Sequence, residues 1–527
     1  MGMASVLGFA LVGINAVPVR VEAHVRPGIP GMTVVGLPDA AVREAKERVR
    51  SAALASGCPL PAQRTTVSLS PGDLRKEGSG FDLAVALAVL AAAGFLPEAC
   101  LRGVAAVGEL ALDGSVRGVR GVISMAETSR RMGVRRLLIP TGLGAEAAEV
   151  LPNAACEVST LRHALDICLG KVQGGVAPPG GREGRSVSRM AGAVRGDLDL
   201  ADIAGQHQAK RALEVAAAGA HHLLMVGSPG SGKTMLARRL PGLLTPLDRQ
   251  EALDVTRIWS AAGLRSESEG LAMERPFRAP HHTISRSALI GGGSPPRPGE
   301  VTLAHRGVLF LDEAPEFSRD ALEALRQPLE EGRVIVGRKA LTLEFPSRFV
   351  LVGAMNPCPC GFWGHPTRAC RCSAGVVRRY QDQLSGPLLD RIDLVVEMPP
   401  LSLLALTGRE AGESSAIVQR RVVAARAFRA VREQAQRHEP AGWEGGAGGS
   451  RPEHHPAVLE RRYQLSREAV ELLHAFAGSN LPGGRTYTRV LSVSRTIADL
   501  DQSDSVRCEH LAEALALRVD GRAMWAA

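Results

Sequence analysis

A glycine-rich segment at residues 227–234 has the residue types and spacing that bind nucleotide phosphates. It reads G-x-x-x-x-G-K-[ST], follows a buried-strand run at 223–226 and precedes a helix expected from about Lys233. In such a loop, backbone N–H groups face the phosphates, Lys233 offers charge to the β and γ oxygens, and the Thr234 hydroxyl can bind Mg²⁺. The predicted ATP-binding residues are Gly227, Ser228, Pro229, Gly230, Ser231, Gly232, Lys233 and Thr234.

A second set of chemically active residues is the carboxylate pair Asp312 and Glu313, which follows the apolar run at 308–311. Ligands of open parallel sheets bind at the carboxyl ends of the strands. Asp312 is therefore predicted to hold Mg²⁺ together with Thr234, and Glu313 to polarise the attacking water. Taken alone, this pair also fits a solvated strand end, but its combination with a P-loop favours ATP hydrolysis.

Four cysteines form a third candidate site, because Cys358, Cys360, Cys370 and Cys372 give the spacing C-x-C, nine residues, C-x-C. Thiolates favour Zn²⁺, and a loop with little core of its own gains from a metal staple. The spacing departs from the commoner C-x₂-C. Two interpretations stay open, a structural zinc site and four free thiols.

Alternating strand-like and helical patterns must position these groups. Apolar runs at 223–226, 308–311 and 349–352, separated by helical stretches, predict a central α/β domain, and a similar alternation, with a helix at 40–55, predicts a leading α/β domain. The predicted domains are 1–170 (leading), 171–197 (flexible basic linker), 198–400 (central) and 401–527 (helical, with a Gly-rich loop at 443–455).

Composition places the 527-residue chain among globular proteins, with 45% hydrophobic and 22% charged residues. The net charge of +9 suits a polyanionic partner without requiring one. The apolar run at 83–96 is too short to span a bilayer, and the N-terminus lacks the basic region of a secretory signal. We therefore expect a cytoplasmic protein with no membrane partner. The cytoplasm is a reducing compartment, which also suits an odd number of cysteines.

The motifs above and several further segments resemble the YifB/ComM family of magnesium-chelatase-like AAA+ ATPases, over nearly the whole chain. The resemblance implies a leading domain with the α/β fold of the Lon protease domain, a central AAA+ P-loop ATPase domain and a C-terminal helical lid. The segments that carry it, besides the P-loop, are 35–44, 73–83, 202–214, 277–285, 298–300, 303–313, 325–330, 354–361, 385–393 and 495–500.

By position, the resemblance assigns three further catalytic residues. Asn356 matches sensor 1, which helps orient the lytic water, and Arg391 matches the arginine finger, which acts on the nucleotide of a neighbouring subunit. A finger acting in trans implies a ring, and we expect a nucleotide-dependent homo-hexamer. Arg485 keeps the sensor-2 arginine although glycine replaces the usual serine, and Arg489 is a rival. Each side chain also fits a structural cap or ion pair.

Residues 331–345 read as two strands with a turn at 337–339. In related ATPases a hairpin here enters the central pore, so the resemblance places Arg338 and Lys339 on the phosphates of threaded DNA, single-stranded or branched, with little sequence preference. A solvated hairpin tip fits the same residues.

The leading domain is expected to be non-proteolytic. A Lon-like peptidase needs a serine and lysine pair, yet Gly80 aligns with the serine position, and neither Ser79 nor Ser124 has an obvious lysine partner in the sequence.

The function implied by the resemblance is an ATP-hydrolysing, ring-forming DNA motor, a helicase or branch-migration enzyme that serves recombination or natural transformation. The main alternative is a chelatase-type or protein-remodelling AAA+ ATPase without DNA activity. An ATP-dependent protease and a non-enzymatic DNA-binding regulator are disfavoured, the former by the missing dyad and the latter by the intact carboxylate pair.

Overall fold

The computed structural model describes residues 2–176, 198–265, 270–293, 296–338, 341–400, 412–437, 456–480 and 484–518. Most of the predicted linker 171–197, the Gly-rich loop 443–455 and Lys339 lie outside the described residues. The chain forms two compact units, the first containing the described parts of 1–191 and 248–273, and the second those of 192–247 and 274–527. Residues 248–273, which the domain prediction assigns to 198–400, are thus grouped with the leading unit.

The first unit is built on a mixed seven-stranded sheet of order β3-β4-β2-β1-β5-β8-β9, with a small hairpin formed by β6 and β7. Its strands are β1 Gly2–Val12, β2 Asn15–Arg26, β3 Gly31–Val35, β4 Arg64–Ser70, β5 Val104–Ala106, β6 Glu109–Leu110, β7 Val116–Arg117, β8 Arg136–Pro140 and β9 Ala155–Val158. Its helices are α1 Ala40–Ala55, α2 Asp82–Ala92, α3 Val122–Arg131, α4 Gly144–Ala148, α5 Leu161–Cys168 and, from later in the chain, α9 Arg249–Ala262.

Helix α2 forms the centre of this unit, because every one of its residues is buried and it packs against β1 and β2. Its sequence is apolar after Asp82 and too short for a membrane span, which is typical of a core helix. The predicted helix at 40–55 is confirmed as α1, which Asp39 caps by accepting a hydrogen bond from the Val42 N–H. An α/β leading unit is therefore confirmed.

The second unit contains a five-stranded, fully parallel sheet of order β11-β14-β17-β10-β18. Its strands, with those of two separate hairpins, are β10 Leu223–Gly227, β11 Phe277–Arg278, β12 Gly291–Gly292, β13 Arg297–Pro298, β14 Val308–Leu311, β15 Arg333–Arg338, β16 Leu341–Pro346, β17 Val350–Met355 and β18 Leu394–Met398. Its helices before residue 400 are α6 His207–Gly219, α7 Lys233–Ala237, α8 Leu240–Leu243, α10 Arg286–Ile290, α11 Glu300–Leu303, α12 Arg319–Ala324, α13 Arg326–Glu331, α14 Ala374–Gln381 and α15 Gly386–Leu389.

Three neighbouring strands of this sheet, β10, β14 and β17, are buried along their whole length. Their apolar runs were predicted as strands, and the structure confirms all three. Because the strands are parallel, the loops that follow them meet at one edge of the sheet. The P-loop, the carboxylate pair and Asn356 follow β10, β14 and β17 respectively, so the fold brings the predicted residues to a common edge.

Described residues beyond 411 are helical, as predicted. They form α16 Ser415–Arg437, α17 Pro456–Arg462, α18 Arg467–Asn480, α19 Gly484–Leu500 and α20 Cys508–Ala516. The last four share a small apolar core that includes Leu459, Leu473 and Leu511. Across the described residues, no helix combines the length and apolarity that a membrane crossing requires.

Candidate active site

The P-loop turns from buried strand β10 into helix α7. Gly230 and Gly232 have φ angles of +79° and +93°, a left-handed conformation that costs glycine nothing because it lacks Cβ. The Lys233 amine donates hydrogen bonds to the carbonyls of Gly227 (2.6 Å) and Ser228 (3.0 Å). The loop is therefore folded around the lysine that the sequence predicts to contact phosphates.

Electrostatically, Lys233 is prepared for an anionic ligand. Burial lowers the pKa of its amine to about 8, although the carboxylates of Asp312 and Glu313 act to raise it. Phosphate oxygens beside the amine would favour its charged form. Ligand binding would thus recover the electrostatic free energy that burial costs.

The predicted magnesium ligands meet directly. The Thr234 hydroxyl donates to Asp312 Oδ2 at 2.8 Å, and Asp312 Oδ1 accepts from the Glu313 N–H at 3.1 Å. A hydroxyl and a carboxylate oxygen side by side are the donor set expected for Mg²⁺ in a P-loop enzyme. The hydrogen bond between Thr234 and Asp312 connects the ends of β10 and β14. The chemistry and spacing of these two oxygen donors fit a bound Mg²⁺ ion.

The Glu313 side chain takes no part in the Thr234–Asp312 hydrogen bond and is exposed to solvent. Its side chain is 57% exposed, and its backbone adopts a φ of +50°, which is uncommon for a non-glycine residue and characteristic of functional positions. His282 lies near it, with Nδ1 3.9 Å from Glu313 Oε2, and its ring centroid lies 4.1 Å from that of the His281 ring, which is tilted by 33°. The pair lies in the segment 277–285 that carries part of the family resemblance, but no sequence signal indicated its position beside the carboxylate.

Asn356 joins the same cluster. Val226 and Met355 are paired in the β10–β17 register, so Asn356 follows immediately beside the P-loop, and its Oδ1 accepts a hydrogen bond from the Lys233 amine at 3.1 Å. The structure therefore brings together Lys233, Thr234, Asp312, Glu313 and Asn356.

The two predicted arginines occupy a different environment. Arg391 is 4% exposed, and its guanidinium pairs with Glu330, which also contacts the Arg485 guanidinium at 3.3 Å. Sequence analysis missed Glu330, although the carboxylate lies in the segment 325–330 that carries part of the family resemblance. Arg489 pairs instead with Asp393 at 2.5 Å.

The four cysteines converge. Their Sγ atoms lie within 4.8 Å of one another, and the distances from Cys358 to Cys360, Cys358 to Cys370 and Cys360 to Cys370 are 3.3, 3.6 and 3.5 Å. Hydrogen bonding, first of all from the Arg371 N–H, lowers the pKa of the Cys360 thiol to about 6. Clustered sulfurs with a stabilised thiolate are suited to a thiophilic metal.

The predicted hairpin is present as β15 and β16, with Arg338 paired to Leu341. The first strand extends further than expected, since Gly337 and Arg338 belong to β15. Lys339 and the side chain of Arg338 lie outside the described part of the chain, so both DNA contacts stay predictions.

In the first unit, the serines considered for peptidase chemistry have other partners. Ser79 donates to the Glu109 carboxylate, and buried Ser124 donates to the Ile14 carbonyl at 2.7 Å. Lys76 is buried and donates to the Pro71 carbonyl. These contacts describe a packed domain, and its lack of proteolytic activity stays a prediction.

Three family models match the chain. Residues 199–406 match "Magnesium chelatase, subunit ChlI", residues 21–142 match "Subunit ChlI of Mg-chelatase", and residues 412–518 match "Magnesium chelatase, subunit ChlI C-terminal". The matches cover both compact units.

Similar proteins extend over the whole chain. The chain is 41% identical to "Competence protein ComM" of Haemophilus influenzae, covering 98% of each chain, and 41% identical to "Uncharacterized protein YifB" of Escherichia coli, covering 99% of this chain and 98% of the other. The "Magnesium-chelatase 38 kDa subunit" of Cereibacter sphaeroides is 29% identical over 29% of this chain and 51% of its own. Similarity to the two full-length relatives is thus far more extensive than similarity to the chelatase subunit.

Proposed function

Because the chain belongs to the YifB/ComM family of magnesium-chelatase-like AAA+ ATPases, we propose that it is an ATP-hydrolysing, ring-forming DNA motor acting in recombination or natural transformation. The ATPase half of the proposal depends on one observation above all. This is the 2.8 Å hydrogen bond between Thr234 and Asp312, which joins the P-loop to the end of β14. The DNA half is supported by the relative named as a competence protein, and by the net charge of +9.

In the proposed mechanism, the P-loop backbone and Lys233 bind and orient the ATP phosphates. Thr234 and Asp312 would hold Mg²⁺, which when bound neutralises phosphate charge. Exposed Glu313 orients a water for attack on the γ-phosphate, and Asn356 fixes that water from the neighbouring strand end. Sensor 2 is proposed to be Arg485, because its side chain is 64% exposed and contacts Glu330 only at 3.3 Å, whereas Arg489 is held at 2.5 Å by the Asp393 carboxylate.

Arg391 is proposed to act on the nucleotide of the next subunit in a homo-hexamer. Its guanidinium is bound to Glu330 in the single chain, so action in trans requires it to leave that carboxylate. Arg338 and Lys339 are proposed to contact DNA in the pore of that ring. The leading domain would be Lon-like and non-proteolytic, the C-terminal helices a lid, and the protein cytoplasmic.

A structural Zn²⁺ is the proposed third cofactor, beside ATP and Mg²⁺. Ligands would be the thiolates of Cys358, Cys360, Cys370 and Cys372. The Sγ separations among the first three, 3.3 to 3.6 Å, approach the edge of about 3.8 Å expected for a tetrahedron with Zn–S bonds of about 2.3 Å. Four protein ligands leave no open position, so the role is structural.

The alternative function is a chelatase-type or protein-remodelling ATPase without DNA activity. The partial similarity to magnesium-chelatase subunits favours it. It shares the whole nucleotide site with the DNA motor, so only a DNA-dependent measurement separates the two.

The test is the ATPase rate with and without single-stranded or forked DNA across a salt series. We expect DNA to stimulate hydrolysis and salt to suppress that stimulation, because phosphate contacts release counterions. Glu313→Gln should bind nucleotide normally and hydrolyse it about 100-fold more slowly or worse. Glu316→Gln, an exposed carboxylate in the same turn, is the matched control. If the protein hydrolyses ATP but neither binds DNA nor is stimulated by it at any salt concentration, the result would favour the alternative function.

A further inference from the structure

We propose that a metal ion held by the four cysteines clamps the nucleotide site, so that nucleotide affinity depends on the metal. The clamp is the loop of residues 356–373, which joins β17 to α14 and begins at Asn356. This inference rests on the proposed function in one respect, namely that the P-loop binds ATP.

The clamp loop needs a cross-link to hold its conformation. Its eighteen residues contain no helix or strand, although Cys358 and Gly361 at its start are buried. Such a segment has little apolar surface to hold it, and a tetrathiolate metal supplies the missing cross-link. Backbone N–H groups of Trp363 and Cys372 point at Cys358 Sγ (3.3 Å) and Cys370 Sγ (3.4 Å), the type of outer-shell contact that orients thiolate ligands.

The cysteine cluster of the clamp loop is connected to the nucleotide site at two points. Cys358 lies two residues after Asn356, which accepts the hydrogen bond from Lys233. The intervening Pro357 is held through its carbonyl by Gln381 Nε2 at 3.0 Å. A displacement of Cys358 would therefore move Asn356 away from the lysine.

The second point is direct packing of the clamp loop on the P-loop. Gly361 presses so closely on Pro229 that a Cβ at position 361 would lie 2.5 Å from Pro229 Cδ and 2.7 Å from its Cγ. No side chain fits there, because real Cβ contacts are essentially never below 3.0 Å and the proline ring is rigid. The four cysteines thus hold a glycine against the second variable position of the phosphate-binding loop.

The chain offers a matched pair of variants for testing this contact. Gly361 and Gly364 both have left-handed φ angles, +81° and +73°, so alanine brings a similar backbone strain at each. A Cβ at position 364, however, meets nothing within 4 Å. The difference between the two alanine variants isolates the contact with Pro229.

The experiment measures zinc per chain by elemental analysis and the dissociation constant of a fluorescent ATP analogue with Mg²⁺, on the full chain. We expect about one zinc per chain in the wild type, in Gly361→Ala and in Gly364→Ala. Gly361→Ala should weaken nucleotide binding about tenfold, and Gly364→Ala should leave it near the wild-type value.

Cys370→Ser should lose zinc and weaken nucleotide binding to a similar degree, whereas Cys508→Ser, in the same unit but outside the cluster, should do neither. Equal affinity in the two glycine variants, or wild-type affinity in zinc-free protein, would overturn the clamp and leave the ATPase proposal intact. The glycine pair remains decisive if Cys370→Ser does not fold. Failure of the wild type to bind nucleotide would overturn the proposed function, and the clamp with it.

Discussion

At the scale of single residues, Lys233 should make nucleotide binding depend on pH. Its free-state pKa is about 8, and bound phosphates favour the ammonium, so above pH 8 binding must take up a proton. Affinity for a non-hydrolysable ATP analogue should therefore be level below pH 8 and fall by up to about tenfold per pH unit above it. Titrations from pH 6.5 to 9.5 would measure this. In Lys233→Arg the side chain stays charged over this pH range, so nucleotide affinity should not change with pH. An affinity of the wild type that does not change with pH would contradict the prediction.

At the scale of elements, the start of β10 is expected to make stability sensitive to acid. His222 accepts a hydrogen bond from the Leu351 N–H, and burial lowers its pKa to about 4 from an ordinary value of about 6.5. As the pH falls through 6.5 towards 4, the unfolded chain gains the proton first, so stability drops by about 3 kcal/mol and then levels off below pH 4. Melting temperatures at pH 7.0 and 4.5 would show a larger loss in the wild type than in His222→Asn. Equal losses would exclude His222 as the cause.

The hairpin of β15 and β16 carries the second element-scale prediction. If Arg338 and Lys339 contact DNA phosphates, replacing both with alanine removes two ion contacts. The slope of log affinity for single-stranded DNA against log salt should become shallower by about 1.4, at about 0.7 per contact. Arg333→Ala is the control, because Arg333 at the base of the hairpin pairs with Glu331 and Glu344. An unchanged slope in the double variant would place DNA elsewhere.

At the scale of the whole molecule, the ring hypothesis predicts complementation between inactive variants. Lys233→Ala supplies an intact Arg391, and Arg391→Ala supplies an intact P-loop. In an equal mixture about one quarter of the subunit interfaces would combine both, so ATPase activity should reappear although each variant alone is inactive. The rate across mixing ratios is the measurement. A mixture as inactive as its components would show that Arg391 acts within its own chain, where it already binds Glu330.

The parts of this protein that are encoded locally could be predicted from its amino-acid sequence. Apolar runs identified β10, β14 and β17, and the spacing in residues 227–234 identified the P-loop, because strand burial and phosphate-binding turns depend on a few consecutive residues. The paired carboxylate after β14 could be placed beside the P-loop without coordinates, since parallel strands end at a common edge. Family resemblance, rather than periodicity, was needed for Asn356 and the two arginines.

Contacts between residues far apart in the chain became visible in the folded protein alone. Glu330 binds both Arg391 and Arg485, Gly361 packs on Pro229, and the helix Arg249–Ala262 joins the leading unit. None of these leaves a periodic or motif signal, because each depends on how separate elements pack and on the exact distance between two surfaces. Local sequence fixes which groups could act, whereas long-range packing fixes which of them meet.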